Sequence, residues 1–270
     1  MTPILDQDGN EFYTGLQLPE GEPDNFVSAM PRMGDAVNIY SDADVQAIVN
    51  DPTRQAAADE FDDHWVIEGN QKKHNSCAGW GGANAFSKMR WRLGIRDGTV
   101  FSGSYAYSWC NRNQDKGAVL DEVMNELMAH GLVAASKCDA NTIYRTSTKQ
   151  FDAEAQQHEG LALYSIKTQA EVNTALARNQ IVVVCVQVDK TRFVNFNGQG
   201  LLPSFSGPGN HCIHVDDLRF VNGAWQYMAV NNWGLNWANK GTAWATWSSF
   251  AQPIKNHAFY VLTSINDLAA

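Results

Sequence analysis

Four side chains in this 270-residue sequence could together break an acyl bond: a thiol, an imidazole and two carboxamides. The thiol is Cys77, at the end of the run Gln71-Lys72-Lys73-His74-Asn75-Ser76-Cys77. An apolar stretch follows from Ala78 to Leu93, with Ala83, Phe86, Met89 and Leu93 at steps of three, three and four. That spacing predicts a buried helix that begins at Cys77. The positive end of its dipole would favour thiolate over thiol, as a nucleophile requires. Gly79, Gly81 and Gly82 crowd the first turns, where each costs about 1 kcal/mol relative to Ala. Such a cost makes sense if another part of the chain packs closely against the helix. Gln71, six residues ahead of Cys77, is a candidate donor for an oxyanion.

The imidazole lies far downstream. Gly209-Asn210-His211-Cys212-Ile213 opens one apolar segment, and Ala229-Val230-Asn231-Asn232-Trp233-Gly234 closes the next. On an extended segment 211–217, His211 shares a face with Ile213 and Val215, while Cys212, His214 and Asp216 face the other way. His211 would be desolvated there, which suits a base in a cleft wall, so it is preferred to His214. The face with Cys212, His214 and Asp216 could bind a metal, but alternating polar residues read better as a solvated or hydrogen-bonded face. Asn231 would orient the imidazole. Trp233 and Trp237 would exclude water from that hydrogen bond. The other histidines (64, 74, 130, 158 and 257) show no partner pattern.

Cys77 and His211 are 134 residues apart. An early cysteine with His and Asn about 130–150 residues later is the spacing of papain-like peptidases. Three blocks resemble that family in its order: Gln-x5-Cys, Asn-His, and Asn-Asn-Trp-Gly-x-x-Trp. The tail from Gly241 to Phe250 and the segment 258–262 resemble the last strands of bacterial and viral members. The resemblance spans roughly 66–263. It implies an α+β, two-lobed fold with a helical lobe, an antiparallel β lobe and a cleft between them. It also implies thiol-dependent hydrolysis of peptide or isopeptide bonds through a thioester. Cys77 would be nucleophile, His211 base, Asn231 its orienter and Gln71 the oxyanion donor, with Trp233 supporting. No metal and no organic cofactor is implied. The chain departs from the pattern at Ala78, where the family usually has tryptophan. It departs again at His74, where extracellular members carry a disulfide cysteine. Two alternatives stay open: a structural or binding component of a viral particle or other assembly, and a peptidoglycan amide hydrolase.

Several elements must position these groups. Residues 1–35 are rich in Gly, Pro, Asp and Glu without a sustained period, and read as an arm or surface loop. Ser41-Asp-Ala-Asp44 is a capping box for a helix to about Asn50, and Pro52 could start another. Residues 1–65 thus form an N-terminal arm and extension, of which 36–65 are unlike the long inhibitory propeptides of secreted members. They suggest an enzyme made without a removable pro-segment, or an arm pinned by an assembly partner. The stretch 77–179 reads as mostly helical, with Leu120–His130 ended by Gly131 and a capping box at Thr168-Gln-Ala-Glu171. The β lobe, about 180–263, begins with the β-branched run Ile181–Val188. Further strands are expected at 211–219, 225–231, 242–247 and 258–262, and 264–270 is a tail.

Composition excludes some functions. A net charge of −9 argues against nucleic acid as the main partner, since phosphate backbones need clustered Lys and Arg. No run approaches the ~18 apolar residues of a membrane span, and the N-terminus lacks the basic start and apolar stretch of a secretion signal. The five cysteines, an odd number, fit a reducing setting such as the cytoplasm or a viral particle, although a Cys110–Cys138 bridge stays open.

Overall fold

The computed structural model describes residues 3–6, 11–17, 30–54, 69–189, 191–204, 209–250 and 259–267. Short strands β1 (Ile4–Leu5) and β2 (Glu11–Phe12) pair antiparallel near the start, followed by β3 (Leu16–Gln17). Helices α1 (Met33–Ala36) and α2 (Asp42–Val49) come next, α2 with the expected reciprocal Ser41–Asp44 cap. Residues 52–54 are helical, and the start expected at Pro52 is found.

Helix α3 (Cys77–Arg92) is the axis of the molecule, buried along most of its length. Leu93 is the exception to the predicted stripe, lying past the last turn and 49% exposed. Helix α4 (Gly103–Cys110), strand β4 (Ala118–Val119), helix α5 (Leu120–His130) and short helical turns over 145–155 follow. Gly131 stops α5 at φ 70°, a conformation that strains any residue with a Cβ. Strand β5 (His158–Ile166) interrupts the stretch expected to be mostly helical, and helix α6 (Gln169–Ala177) follows with its capping box in place. β5 pairs along its length with β10, and Ser165 also bridges Arg32, so its partners are remote from any local pattern.

Strands β6 (Ile181–Val186), β7 (His211–Val221), β8 (Ala224–Val230), β9 (Thr242–Thr246) and β10 (Phe259–Asp267) complete a six-stranded antiparallel sheet. Its order is β5-β10-β6-β7-β8-β9. β6 is buried at every position, which is why it reads as a continuous β-branched run rather than an alternation. Residues 251–258, including the first residue of the expected strand at 258–262, lie outside the described residues.

Helix α3 packs lengthwise on β7, so the helix that carries Cys77 seats on the strand that begins with His211. A Cβ on Gly81 would stand 2.7 Å from the Cys212 sulfur, and one on Gly79 2.1 Å from the Gly103 carbonyl oxygen. The helix is thus pressed from both lobes, and the glycines answer that pressure. At its far end, Lys88 forms a buried ion pair with Asp216, and Arg92 donates to the Asp216 carbonyl. Cys212, His214 and Asp216 therefore do not form a solvated face; all three are buried against α3. Among the described residues, no group of three or more His, Cys, Asp or Glu is placed to hold a metal ion. All five cysteines are buried free thiols, and Cys110 and Cys138 are not bridged.

Candidate active site

Cys77 is the first residue of α3, His211 the first of β7, and Asn231 follows directly on β8. Each candidate group therefore stands at the end of a regular element, and all three are buried. His211 Nε2 lies 2.8 Å from Asn231 Oδ1, which also accepts the Asn232 backbone N–H at 2.8 Å. The second bond identifies that atom as the amide oxygen. The proton of a neutral imidazole is then on Nε2, and Nδ1 is left as the basic nitrogen. Nδ1 is buried without a hydrogen-bond partner. Trp233 covers the pair, its ring 4.7 Å from that of His211 and inclined 31° to it. Trp237 acts one step further away: it stacks on Phe193 at 5.1 Å, and Phe193 meets Trp233 edge-on.

Asn232 was not foreseen as part of the site. Its side-chain amide donates to the carbonyls of Cys77 at 3.1 Å and Cys212 at 3.0 Å, and its own carbonyl accepts the Gln71 N–H at 3.0 Å. One residue thereby ties the start of α3, the start of β7 and the glutamine loop. Its only sequence signal was the doubled asparagine, which the adjacent Asn231 absorbed.

Residues 13–17 pack into the fold, against the candidate site. Gln71 Nε2 donates to the Tyr13 carbonyl oxygen at 2.9 Å, and Trp233 Nε1 donates to the same oxygen at 3.3 Å. The Gly15 N–H donates to Cys77 Sγ at 3.2 Å. Further along, Ala118 N–H donates to the Gly15 carbonyl at 2.8 Å, and Leu16 N–H to the Asn210 carbonyl at 3.4 Å. Strand β3 runs parallel to β4, and Leu16 is buried in the core beside the site. Gly15 fits because it has no side chain: a Cβ would lie 1.8 Å from the Asn75 carbonyl oxygen.

This occupant sets the electrostatics. Burial pushes the Cys77 thiol up to about 11, against the opposing pull of N–H groups from Gly15, Cys212, Ala78 and Cys77 itself. Burial likewise lowers His211 to about 4, although its bond to Asn231 works the other way. A helix N-terminus contributes at most about 2 kcal/mol to a charge, less than the several kcal/mol lost when an ion leaves water. Burial thus favours the neutral form of both the Cys77 thiol and the His211 imidazole in this closed arrangement. Burial therefore opposes the thiolate expected from helix position alone. Iodoacetamide at neutral pH should therefore leave Cys77 of the full chain largely unmodified, as read by peptide mapping. Rapid labelling of Cys77 would show that the closed arrangement does not persist in solution.

His74 has a partner after all. Its Nδ1 lies 2.9 Å from Asp115 Oδ2, and that contact raises the imidazole pKa, against burial. His64 and His257 lie outside the described residues.

The chain matches no protein-family model and no curated protein sequence. Its fold does have solved counterparts. Xylellain, a cysteine protease from Xylella fastidiosa, superposes with TM-score 0.60 at 16% identity, covering 92% of this chain and 99% of that one. Procathepsin B S9 from Trypanosoma congolense gives TM-score 0.65 at 13% identity, over 93% and 86%. Digestive procathepsin L 3 of Tenebrio molitor gives 0.60 at 15%. The match covers 66% of that procathepsin and 62% of the ragweed allergen Amb a 11 in its proform. The chain has the two-lobed fold of the papain-like cysteine proteases. Among the described residues, no helix is long and apolar enough to cross a membrane.

Proposed function

We propose that this protein is a papain-like thiol hydrolase of peptide or isopeptide bonds, held latent by its own residues 13–17. The observation that carries the reading is a peptide already lying in the cleft. Its Tyr13 carbonyl oxygen receives the Gln71 amide, while its Gly15 N–H meets the sulfur of Cys77. The groups that grip this strap are those a substrate carbonyl would need.

In the open enzyme, Cys77 Sγ attacks the carbonyl carbon, and the thiol proton passes to His211 Nδ1. The Asn231 oxygen holds Nε2–H, fixes the tautomer and supports the imidazolium. The carbonyl oxygen gains charge as the tetrahedral intermediate forms. The Gln71 side-chain amide stabilises it, together with the Cys77 backbone N–H freed at the start of α3. His211 returns its proton to the leaving amine, and water then hydrolyses the thioester by the same route. No step calls for a metal or organic cofactor.

The strap inhibits rather than reacts. The strap atom bonded to Sγ is an amide nitrogen, so the sulfur is engaged by a proton and not aimed at a carbonyl carbon. Procathepsin L 3, procathepsin B S9 and Amb a 11 in its proform are among the proteins whose fold this chain shares. An assembly role for residues 1–65, or a purely structural use of the fold, would leave the polar groups of the cleft without chemical work. A peptidoglycan amide would use the same machinery, and profiling released fragments separates that acceptor from peptides.

Gln71→Ala should lower kcat by about 10²- to 10³-fold with little change in KM, because the oxyanion exists only after attack. Steady-state kinetics on a fluorogenic peptide amide, with the strap displaced, would check it. An unchanged kcat would remove Gln71 from the site.

A further inference from the structure

We infer that Asp115 is a positioning residue of this site: paired with His74, its carboxylate holds the loop that carries Gln71 against the wall where the cleft peptide lies. The inference rests on the reading of Gln71 as the oxyanion donor. Asp115 is a node for three segments. Oδ2 meets His74 Nδ1 at 2.9 Å; Oδ1 accepts from the Asn75 N–H at 2.9 Å and the Tyr107 hydroxyl at 3.0 Å. The Asp115 carbonyl accepts from Asn75 Nδ2 at 2.8 Å.

Each bond leads to a working part. The His74 carbonyl accepts the Gln71 amide at 2.7 Å, from the same nitrogen that donates to the Tyr13 oxygen. Where His74 sits therefore decides where that amide points. On the other side, the Tyr107 hydroxyl accepts the Gly117 N–H at 2.9 Å. Gly117 is the wall: a Cβ on it would lie 2.1 Å from the Gly15 carbonyl oxygen of the strap. One carboxylate thus sets the gap between the oxyanion donor and the surface along which a peptide backbone runs.

The tie is also titratable. Groups acting on His74 are Asp115, Asn141 and Asp139, and on the strap side Tyr13 feels both Asp115 and the Lys73–Glu11 pair. Asp115 lifts His74 above its ordinary value, against burial. Burial alone would raise Asp115, but bonds from His74, Asn75 and Tyr107 outweigh it and hold the carboxyl below its ordinary value. The contribution of His74 is fully present below its unfolded pKa and is lost as pH rises through its raised one. That of Asp115 is lost as pH falls through its depressed one. The charged tie spans the window between them. Both side chains are 22% exposed, so the pair adds little to global stability; its effect is on geometry.

The test uses the full chain with Gly15→Val to displace the strap, with and without Asp115→Asn. Asp115→Asn should lower kcat by about 10- to 100-fold with KM little changed, the effect of a misplaced reacting group. It should also move the alkaline decline of kcat to lower pH. His74→Gln, which keeps a neutral donor to Asp115, should recover most of the kcat and lose the part of that decline due to His74. Independently of turnover, the Gln71 side-chain amide signals in 15N-resolved NMR should shift in Asp115→Asn. A wild-type kcat and pH profile, or Gln71 signals that do not move, would overturn the inference. If Gly15→Val protein hydrolyses no peptide, the peptidase reading falls, and the Gln71 signals alone decide the tie.

Discussion

Gly15→Val should convert a closed enzyme into an open one, raising turnover of a small peptide amide on the order of 100-fold or more. A tethered inhibitor acts at an effective concentration near millimolar, so its loss is a large effect without any new contact. The steric basis is direct: the added Cβ would meet the Asn75 carbonyl oxygen at 1.8 Å, and the Gly15 carbonyl already touches the Gly117 wall. Asn75 cannot retreat easily, since both its N–H and its side chain are bonded to Asp115. The strap must leave, and with it go the Gly15 bond to sulfur and the Tyr13 bond to Gln71. Water then reaches Cys77 and His211, removes the desolvation that holds both neutral, and allows the ion pair. Iodoacetamide labelling of Cys77 should accelerate in parallel and persist into mildly acidic buffer. Equal turnover by wild type and Gly15→Val, with circular dichroism and melting showing both folded, would mean that the strap is not the inhibitor.

Cys77→Ala and His211→Ala should each abolish that turnover, by up to about 10⁶-fold, and the double variant should lose no more than either single one. A thiol and an imidazole acting as one unit show this non-additivity, whereas two independent contributors would multiply. Cys77→Ala should also keep its fold, because the start of α3 is held by Asn232 through the Cys77 backbone carbonyl rather than the sulfur. Kinetics of all three variants in the Gly15→Val chain, with melting curves alongside, give the answer. Residual activity near that of the parent in Cys77→Ala would displace the nucleophile. A larger loss in His214→Ala than in His211→Ala would move the base. His214 has the geometry of packing instead: it is buried beside the Lys88–Asp216 pair, where its pKa is driven down to about 3, chiefly by burial.

Much of this was legible in the residues themselves. The helix that starts at Cys77, the two reciprocal caps at Ser41 and Thr168, and the stop at Gly131 are local events. The caps and the stop are decided within four or five residues, by side-chain bonds to nearby backbone or by a φ that glycine tolerates, and the helix by its apolar spacing. The β-branched run of β6 announced a strand buried on both faces. The preference for His211 over His214 as the candidate base rests on two-residue alternation, and the candidate Asn231 on the tryptophans beside it, Trp233 and Trp237. Glycines at 79, 81 and 82 announced close packing without saying against what.

Tertiary structure decided the rest, because the deciding contacts join residues far apart in the chain. Strand β5 is held by β10, about a hundred residues later, and no local pattern distinguishes it from its helical surroundings. Asp216 looked like part of a polar face until α3 brought Lys88 onto it. His74 lacked a partner until Asp115, 41 residues on, reached it. Above all, the sequence determined which groups could form a thiolate–imidazolium pair, but not whether they do. In the proposed reading that depends on water, which Tyr13–Gln17, sixty or more residues ahead of Cys77, would exclude. Desolvation outweighs the helix dipole, so the same four side chains are reactive or silent according to what lies across them.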